Sequence, residues 1–360
     1  MGIFERMEEE GHEQLLFLQE NRTDLKAIIG VHDTTLGPAL GGCRMLDYDS
    51  EEDAIEDVLR LSKGMTYKSA VAGEDFGGGK TVIWGDPAEH RTEGLFRALG
   101  RYVDALGGRY YTGTDVGTKP EDFVLMRKET PYVGALPQEY GGGGDSSVPT
   151  AYGTYVGIKA SCQYRYGDDD LSGRKVAVQG LGKVGFKLVN HLLEEDVEII
   201  AADVDEEKLE EVRELGVETV KPEEIYDVDC DIFSPNALGA VINDDTVERL
   251  NCDIVAGSAN NVLAEEKHGH MLADKGILYA PDFVINAGGM ILVCDEMEPN
   301  GFDEARTMKK TERIYDQLLS IFELAEDEDI PTQKAAKKVA DQRMETMTTT
   351  GTISTSNKFF

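Results

Sequence analysis

The segment Gly180-Leu181-Gly182-Lys183-Val184-Gly185 constrains this chain more than any other. It follows the apolar run Lys175-Val176-Ala177-Val178 and opens a helical pattern from Val184 to about Leu193; the next apolar run, Val197 to Ala202, ends at an acid, Asp203. Strand, glycine turn, helix and a strand ending in a carboxylate make a βαβ unit of the kind that cradles a dinucleotide. In such a unit Gly180 permits the tight turn, Gly182 lets backbone approach a pyrophosphate, and Gly185 lets helix and strand pack closely. Asp203 can accept hydrogen bonds from ribose hydroxyls and would repel a 2′-phosphate, so the expected cofactor is NAD rather than NADP.

A parallel βαβ unit needs further strands on either side. Asp229 to Phe233 and Asp253 to Ala256 supply them, alternating with helical segments, and the second half is expected to be a Rossmann-type doubly wound domain. The first half reads as a mixed α/β substrate domain. Ser50 with Asp53 three residues on begins a capped amphipathic helix, similar helices are expected near residues 5 to 19 and 88 to 106, and Leu25 to Val31 and Thr81 to Trp84 read as strands. The run Gly141 to Gly144 is the expected hinge. The expected division is therefore 1–140 for substrate binding, catalysis and oligomerisation, 141–330 for NAD, and 331–360 returning to the first domain, with a poorly ordered tail from Thr348 to Phe360.

Composition excludes several classes. Hydrophobic residues make up 41%, enough for a packed core. No run approaches the roughly 18 apolar residues of a membrane span, and Met1-Gly2-Ile3-Phe4-Glu5 lacks a signal-like basic start, so a cytoplasmic protein is expected. The formal net charge of -33 is extreme, and it disfavours nucleic acid and anionic membranes as partners. The acids are dispersed over every segment rather than gathered in a tail, a pattern resembling proteins of salt-loving organisms. Five separated cysteines with no C-x-x-C read as small buried hydrophobes, and His268-x-His270 reads as a loop, so no metal is expected.

A second constellation lies in the first half: Met65-Thr66-Tyr67-Lys68, Gly77-Gly78-Gly79-Lys80 and Gly113-Thr114-Asp115. Spacing alone fits surface lysines and a turn aspartate as well as it fits chemistry. Together with Leu25 to Ile29, His32-Asp33-Thr34-Thr35-Leu36-Gly37-Pro38-Ala39-Leu40-Gly41-Gly42 and Ala280-Pro281-Asp282-Phe283-Val284-Ile285-Asn286-Ala287-Gly288-Gly289, however, these residues resemble the glutamate/leucine/phenylalanine/valine dehydrogenase family over nearly the whole chain, most closely its leucine branch. The resemblance implies that Lys68 binds the substrate carboxylate, Lys80 is the catalytic lysine and Asp115 assists proton transfer. It also places Leu40, Gly41, Met65, Gly113, Met290 and Val293 around the substrate, and Thr150 and Asn260 beside the nicotinamide. It implies a homo-oligomer acting on a small amino acid and releasing a 2-oxo acid and ammonia.

Elementary chemistry supports these roles. Removing hydride from Cα requires a neutral amine, and water must then attack the iminium. A lysine is a poor base near neutrality unless a nearby cation and a dry site favour its neutral form; Lys68 can be that cation. Glutamate-specific relatives carry a lysine where Leu40 stands, and a carboxylate buried there without a partner would cost several kcal/mol. An apolar, branched-chain substrate is expected. Gly113 and Met290 depart from the leucine branch toward the phenylalanine branch, which keeps phenylalanine as the alternative. Lys183, often asparagine in relatives, either adds a cation near the pyrophosphate or points to solvent. A non-catalytic NAD-binding regulator could lose any of Lys68, Lys80 and Asp115, and a hydroxy-acid dehydrogenase would be expected to use a histidine, so both are disfavoured.

Overall fold

The computed structural model describes residues 2–349; Thr348 and Thr349, expected to begin a poorly ordered tail, instead end the Thr332–Thr349 helix, and the rest of that tail lies outside the described residues. The chain divides into two units. One takes the chain through Asp145, Leu292–Glu304 and the stretch from Ala340; the other takes Ser146–Ile291 and Ala305–Val339. The first crossing falls directly after Gly141 to Gly144. The returns differ from a single break at residue 330, because the first unit also recruits Leu292–Glu304 and the stretch just after 330 stays with the second.

In the first unit, β1 (Gln14–Glu20), β2 (Leu25–Asp33), β3 (Ala39–Leu46), β4 (Gly77–Trp84) and β5 (Tyr110–Thr114) form a sheet of order β1-β2-β4-β3-β5. β3 runs parallel to both β4 and β5, whereas β1–β2 and β2–β4 are antiparallel. Alternation along the strands builds a core on each face. Ile28 and Val82 pack with Ala54, Ile55, Val58 and Leu59 of the Glu51–Val71 helix. Ile29, Val31, Cys43, Met45, Ile83 and Tyr110 pack with Leu95, Phe96 and Leu99 of the Glu93–Asp104 helix.

The helix expected over residues 5 to 19 is a helix only from Ile3 to Glu10. Gly11 caps it in the left-handed region (φ 82°), and the apolar run that follows is strand β1, paired antiparallel with β2. A short apolar run cannot be assigned by periodicity alone, and Gly11 is the punctuation that decides it. The glycine-rich β3 was not expected, nor was β5. The Ser50 cap is as expected: its hydroxyl accepts the Asp53 N–H at 3.2 Å. At the other end of that helix, Arg343 donates to the carbonyls of Ser69 and Ala70 at 3.3 and 3.0 Å, which also accept the N–H groups of Glu74 and Gly73.

In the second unit, β6 (Lys175–Gln179), β7 (Glu198–Ala202), β8 (Glu218–Thr219), β9 (Ile232–Pro235), β10 (Ile254–Val255) and β11 (Leu278–Tyr279) form a sheet of order β11-β10-β9-β6-β7-β8. Every pairing is parallel. Strand order reverses at β6, so the crevice at its carboxyl end is the topological switch point where such sheets bind ligands. Ala177, Ile200, Phe233, Val255, Leu272 and Tyr279 form the core on one face.

His268 is not in a loop but in the Glu266–Asp274 helix, where its Nδ1 accepts the Glu265 N–H at 2.9 Å. That bond leaves Nε2 as the protonated nitrogen, 3.2 Å from Asp244 Oδ1, while Lys267 also pairs with Asp244 and Glu265. Asp244, Glu265 and His268 lie close enough to share an ion, but the tautomer and the lysine make this a cap and an ion pair. The cysteines are free, with Cys43, Cys162 and Cys294 buried and Cys230 and Cys252 only partly so. Among the described residues, no helix is long and apolar enough to cross a membrane.

His12, in the turn before β1, has its Nε2 2.9 Å from Ser62 Oγ and 3.1 Å from the Leu59 carbonyl, and its ring meets His32 edge-on at 4.7 Å. Burial first, then the neighbouring His32, pushes its pKa down from 6.5 to about 4. The fold therefore favours neutral His12. Above pH 6.5 both folded and unfolded chains hold it neutral; below that the unfolded chain takes up a proton that the folded chain refuses, and stability falls until about pH 4. Urea unfolding between pH 7 and 4 is expected to show a shallower loss in His12→Asn than in the parent, the difference reaching on the order of 3 kcal/mol. Parallel curves would remove this role for His12.

Candidate active site

The first unit's site is built on strands that glycine allows to approach closely. A Cβ on Gly41 would lie 1.6 Å from the Gly79 carbonyl oxygen, and one on Gly78 would lie 2.1 Å from Thr66 Oγ1 in the overlying helix. On Gly79 it would meet the Tyr110 ring at 2.7 Å. Gly77 to Gly79 let one strand lie against a helix on one face and a tyrosine on the other. Gly42 opens the space beside the reactive groups. A Cβ there would sit 2.7 Å from the Thr114 carbonyl oxygen, 2.9 Å from Asp115 Cβ and 3.4 Å from Lys80 Nζ.

Into that space project Lys80 from β4, buried at 6% exposure, and Asp115 from the end of β5. Lys80 Nζ lies 2.7 Å from Asp115 Oδ2. Arg44 Nε donates to the same oxygen at 3.0 Å, and its Nη1 reaches Asp57 Oδ2 at 3.0 Å. Burial would raise the Asp115 pKa, but Lys80 and Arg44 together overcome it and hold the carboxylate below its ordinary range. Lysine, carboxylate and guanidinium are thus in direct contact, an arrangement chemically capable of proton exchange. Arg44 carries no motif of its own; its signal was its place on β3, where Cys43 pairs with Thr114 and the next residues face each other across the strands.

Leu40, 2% exposed, pairs with Gly78 and Tyr111, and Gly41 pairs with Thr112. Lys68 and Met65 lie on the Glu51–Val71 helix, Lys68 in its last turn two residues beyond the Thr66 that covers Gly78. Gly113 is buried, and a Cβ there would come within 3.2 Å of the Ala135 methyl. Ala135 holds φ 57°, an uncommon value for a residue with a side chain. Its N–H and that of Gly143 each donate to Glu296 at 2.7 Å. Glu296 was missed by sequence reading. It lies one turn beyond Val293, whose Cγ1 would be 3.0 Å from a Cβ on Gly134, and burial lifts its pKa to about 7.

The second unit carries the residues expected to hold cofactor. Gly180 adopts φ 94°, and a Cβ on Gly185 would fall 1.9 Å from the Gly180 carbonyl oxygen, so both must be glycine. Gly182 opens the Lys183–Leu193 helix, no side chain caps that end, and a Cβ on Gly182 would meet nothing within 4 Å. A glycine with open space about it at an uncapped helix start fits the approach of a pyrophosphate. Asp203 is fixed by the N–H of Leu181 at 2.5 Å and that of Asp205 at 2.9 Å. Leu181 is buried, Val184 half-buried, and Lys183 exposed, which favours the solvent alternative for Lys183. Thr150 packs closely on Gly289, where a Cβ would approach its Oγ1 to 2.9 Å. Asn260 Oδ1 accepts from Asn286 at 2.8 Å, leaving its amide as a donor. Met290 is buried in this unit.

A doubly wound sheet with an uncapped glycine turn at its switch point, joined in one chain to a sheet bearing a buried lysine–aspartate pair, defines a two-unit dinucleotide-dependent enzyme. Residues 13–132 match the family described as Glu/Leu/Phe/Val dehydrogenase, dimerisation domain, and residues 197–351 match Glutamate/Leucine/Phenylalanine/Valine dehydrogenase; the chain belongs to this family of amino-acid dehydrogenases. It is 53% identical to the leucine dehydrogenase of Thermoactinomyces intermedius, over 96% of this chain and 94% of that protein. It is 52% identical to the phenylalanine dehydrogenase of Caldalkalibacillus thermarum, over 93% and 91%. The crystal structure of L-tryptophan dehydrogenase from Nostoc punctiforme superposes with a TM-score of 0.87 at 46% identity, covering 96% of this chain and all of that one.

Replacing Gly42 with alanine is expected to lower turnover about a hundredfold or more and to cost about 1–3 kcal/mol of stability, because backbone on β5 cannot yield to the new methyl. Gly64→Ala, in open space on the Glu51–Val71 helix, is expected to add about 0.5–1 kcal/mol instead. Urea unfolding and initial rates check both; an active, stable Gly42→Ala protein would refute the steric argument.

Proposed function

We propose that this chain catalyses the NAD-dependent oxidative deamination of an apolar, branched-chain L-amino acid to its 2-oxo acid and ammonia. The observation that carries this is the buried contact of Lys80 with Asp115 beside Gly42. Lys68 holds the substrate carboxylate. Bound NAD, held by Gly180 to Gly185, Asp203, Thr150 and Asn260, supplies the hydride acceptor. Lys80, as a neutral amine, removes a proton from the water that adds to the iminium carbon, giving a carbinolamine. Lys80 passes that proton through Asp115 to the nitrogen, which makes ammonia the leaving group; Lys80, neutral again, takes the hydroxyl proton as the C–N bond breaks and the carbonyl forms.

The substrate's side chain is expected to meet Leu40, Gly41, Met65, Gly113, Met290 and Val293. Leu40 offers no partner to a carboxylate, which supports an apolar side chain over glutamate. The named relatives act on leucine, phenylalanine and tryptophan, so the choice among apolar amino acids turns on pocket size. A preference for phenylalanine is the second reading, favoured by Gly113 and Met290; against it, the Ala135 methyl takes up part of the space that glycine at 113 opens.

Three further readings accompany this one. The fixed Asp203 carboxylate supports NAD over NADP. The matched dimerisation-domain family supports a homo-oligomer, which sedimentation would test. The dispersed charge of -33 supports an enzyme adapted to high salt, and equal activity at low and molar salt would count against that; a cytoplasmic location rests on the want of a membrane-length apolar run.

With a panel of L-amino acids, NADH formation is expected to be fastest with branched aliphatic substrates. Lys80→Ala should lower turnover about a hundredfold or more with every substrate, whereas Lys68→Ala should chiefly raise the amino-acid KM. Near-normal turnover in Lys80→Ala would overturn the assignment of the base. Catalytic efficiency is expected to favour NAD over NADP by at least about tenfold, roughly 1.4 kcal/mol, and Asp203→Ser should narrow that ratio. Equal efficiency in the parent enzyme would remove the role given to Asp203.

A further inference from the structure

The Lys80–Asp115 pair poses an electrostatic difficulty that the pair alone does not resolve. To act as a base Lys80 must become neutral, and Asp115 would then be a largely buried carboxylate without its ammonium. Such a carboxylate is costly to leave unpaired and pulls the proton back. Two cations meet on one oxygen here: Lys80 Nζ at 2.7 Å and Arg44 Nε at 3.0 Å, both on Asp115 Oδ2. A guanidinium keeps its charge at any working pH, so Arg44 remains when the lysine proton leaves.

We propose that Arg44 is a positioning residue for deamination, holding Asp115 in place and partnering its charge whenever Lys80 gives up its proton. The proposal rests on the reading of Lys80 and Asp115 as the proton-transfer pair. Arg44 is itself held. Its Nη1 donates to Asp57 at 3.0 and 3.3 Å, Tyr48 OH donates to Asp57 at 2.8 Å, and the more exposed Arg60 adds a contact at 2.8 Å. The Glu51–Val71 helix supplies Asp57 and Arg60, β3 supplies Arg44, and register across β3 and β5 sets Arg44 beside Asp115.

The other titratable groups around the pair are Cys43 and Tyr110, both fully buried and both pushed up by burial, so they stay neutral through the working range. Asp122, whose pKa burial raises, acts on Cys43, and Lys68 lies on the overlying helix. Among these, Arg44 and Asp57 bear on Asp115 with opposite signs. Arg44 draws on the carboxylate's charge and favours a neutral Lys80; Asp57 offsets Arg44 and weakens that effect.

The test is the pH profile of kcat/KM for L-leucine with saturating NAD, measured on the full-length parent and on Arg44→Gln, Arg44→Lys, Asp57→Asn and Lys80→Ala. Arg44→Gln is expected to lose about tenfold or more near pH 8 and to move the rising limb about one pH unit toward alkali. Arg44→Lys should recover part of that displacement. Asp57→Asn should move the limb the other way, toward acid. A uniform fall in rate with the limb unmoved in both Arg44→Gln and Asp57→Asn would mean a merely structural role and overturn the proposal. Should Arg44→Gln not fold, as judged by its melting curve, the direction of the Asp57→Asn displacement decides alone. Lys80→Ala separates the two levels: if it retains the parent's turnover, the pair itself is misassigned; if it is inactive while the limbs of the other variants stay fixed, only the role of Arg44 fails.

Discussion

The lysine–aspartate contact depends on how closely β3 and β4 can approach. With Gly41 against the Gly79 carbonyl and Gly78 under Thr66, the two strands and the overlying helix pack at distances no side chain would permit. Only at such spacing does Lys80 on β4 reach across β3 to Asp115 at the end of β5 while remaining 6% exposed. Low exposure makes the charge–charge term large, and it also makes any uncompensated charge expensive. The Arg44–Asp57 pair follows from that second fact. The first unit is thus a polar network sustained by backbone packing, and its apolar clusters on the two sheet faces hold the strands in register around it.

The second unit solves a different problem with the same residue. There glycine serves conformation and access: Gly180 takes a positive φ, Gly185 admits the turn's carbonyl, and Gly182 leaves the helix N-terminus bare. The carboxylate of Asp203 ties the turn to the end of β7 through the Leu181 N–H, so the acid expected to read the ribose also fixes the loop expected to hold the phosphates. Substituting it would therefore disturb the loop as well as the recognition of the ribose.

Legibility in the sequence followed the locality of the signal. The βαβ unit was readable because its strand, turn, helix and acid lie within one short segment, and the doubly wound parallel sheet follows from that pattern, though its strand order was not read. Lys68, Lys80 and Asp115 were visible as a resemblance, although spacing alone could not distinguish them from surface residues. What could not be read depended on long-range pairing. β3 hides in a glycine-rich segment of low strand propensity and is a strand because it lies between two partners. β1 was concealed by an apolar run equally compatible with a helix. Arg44 and Glu296 act on residues 71 and 161 positions away, and no local pattern reports such contacts.

The contact between Gly113 and Ala135 has an evolutionary consequence. Ala135 sits in the left-handed region with its methyl group directed at the place where a side chain at 113 would begin, and Glu296 accepts its N–H and that of Gly143, tying the two segments together. The two positions therefore form a coupled pair in which each residue's tolerance is set by the other. A bulkier residue at 113 is accommodated most readily when 135 is glycine, which also relieves the positive φ. Drift at these two positions would thus be epistatic, with the order of substitutions deciding which intermediates remain stable enough to be inherited.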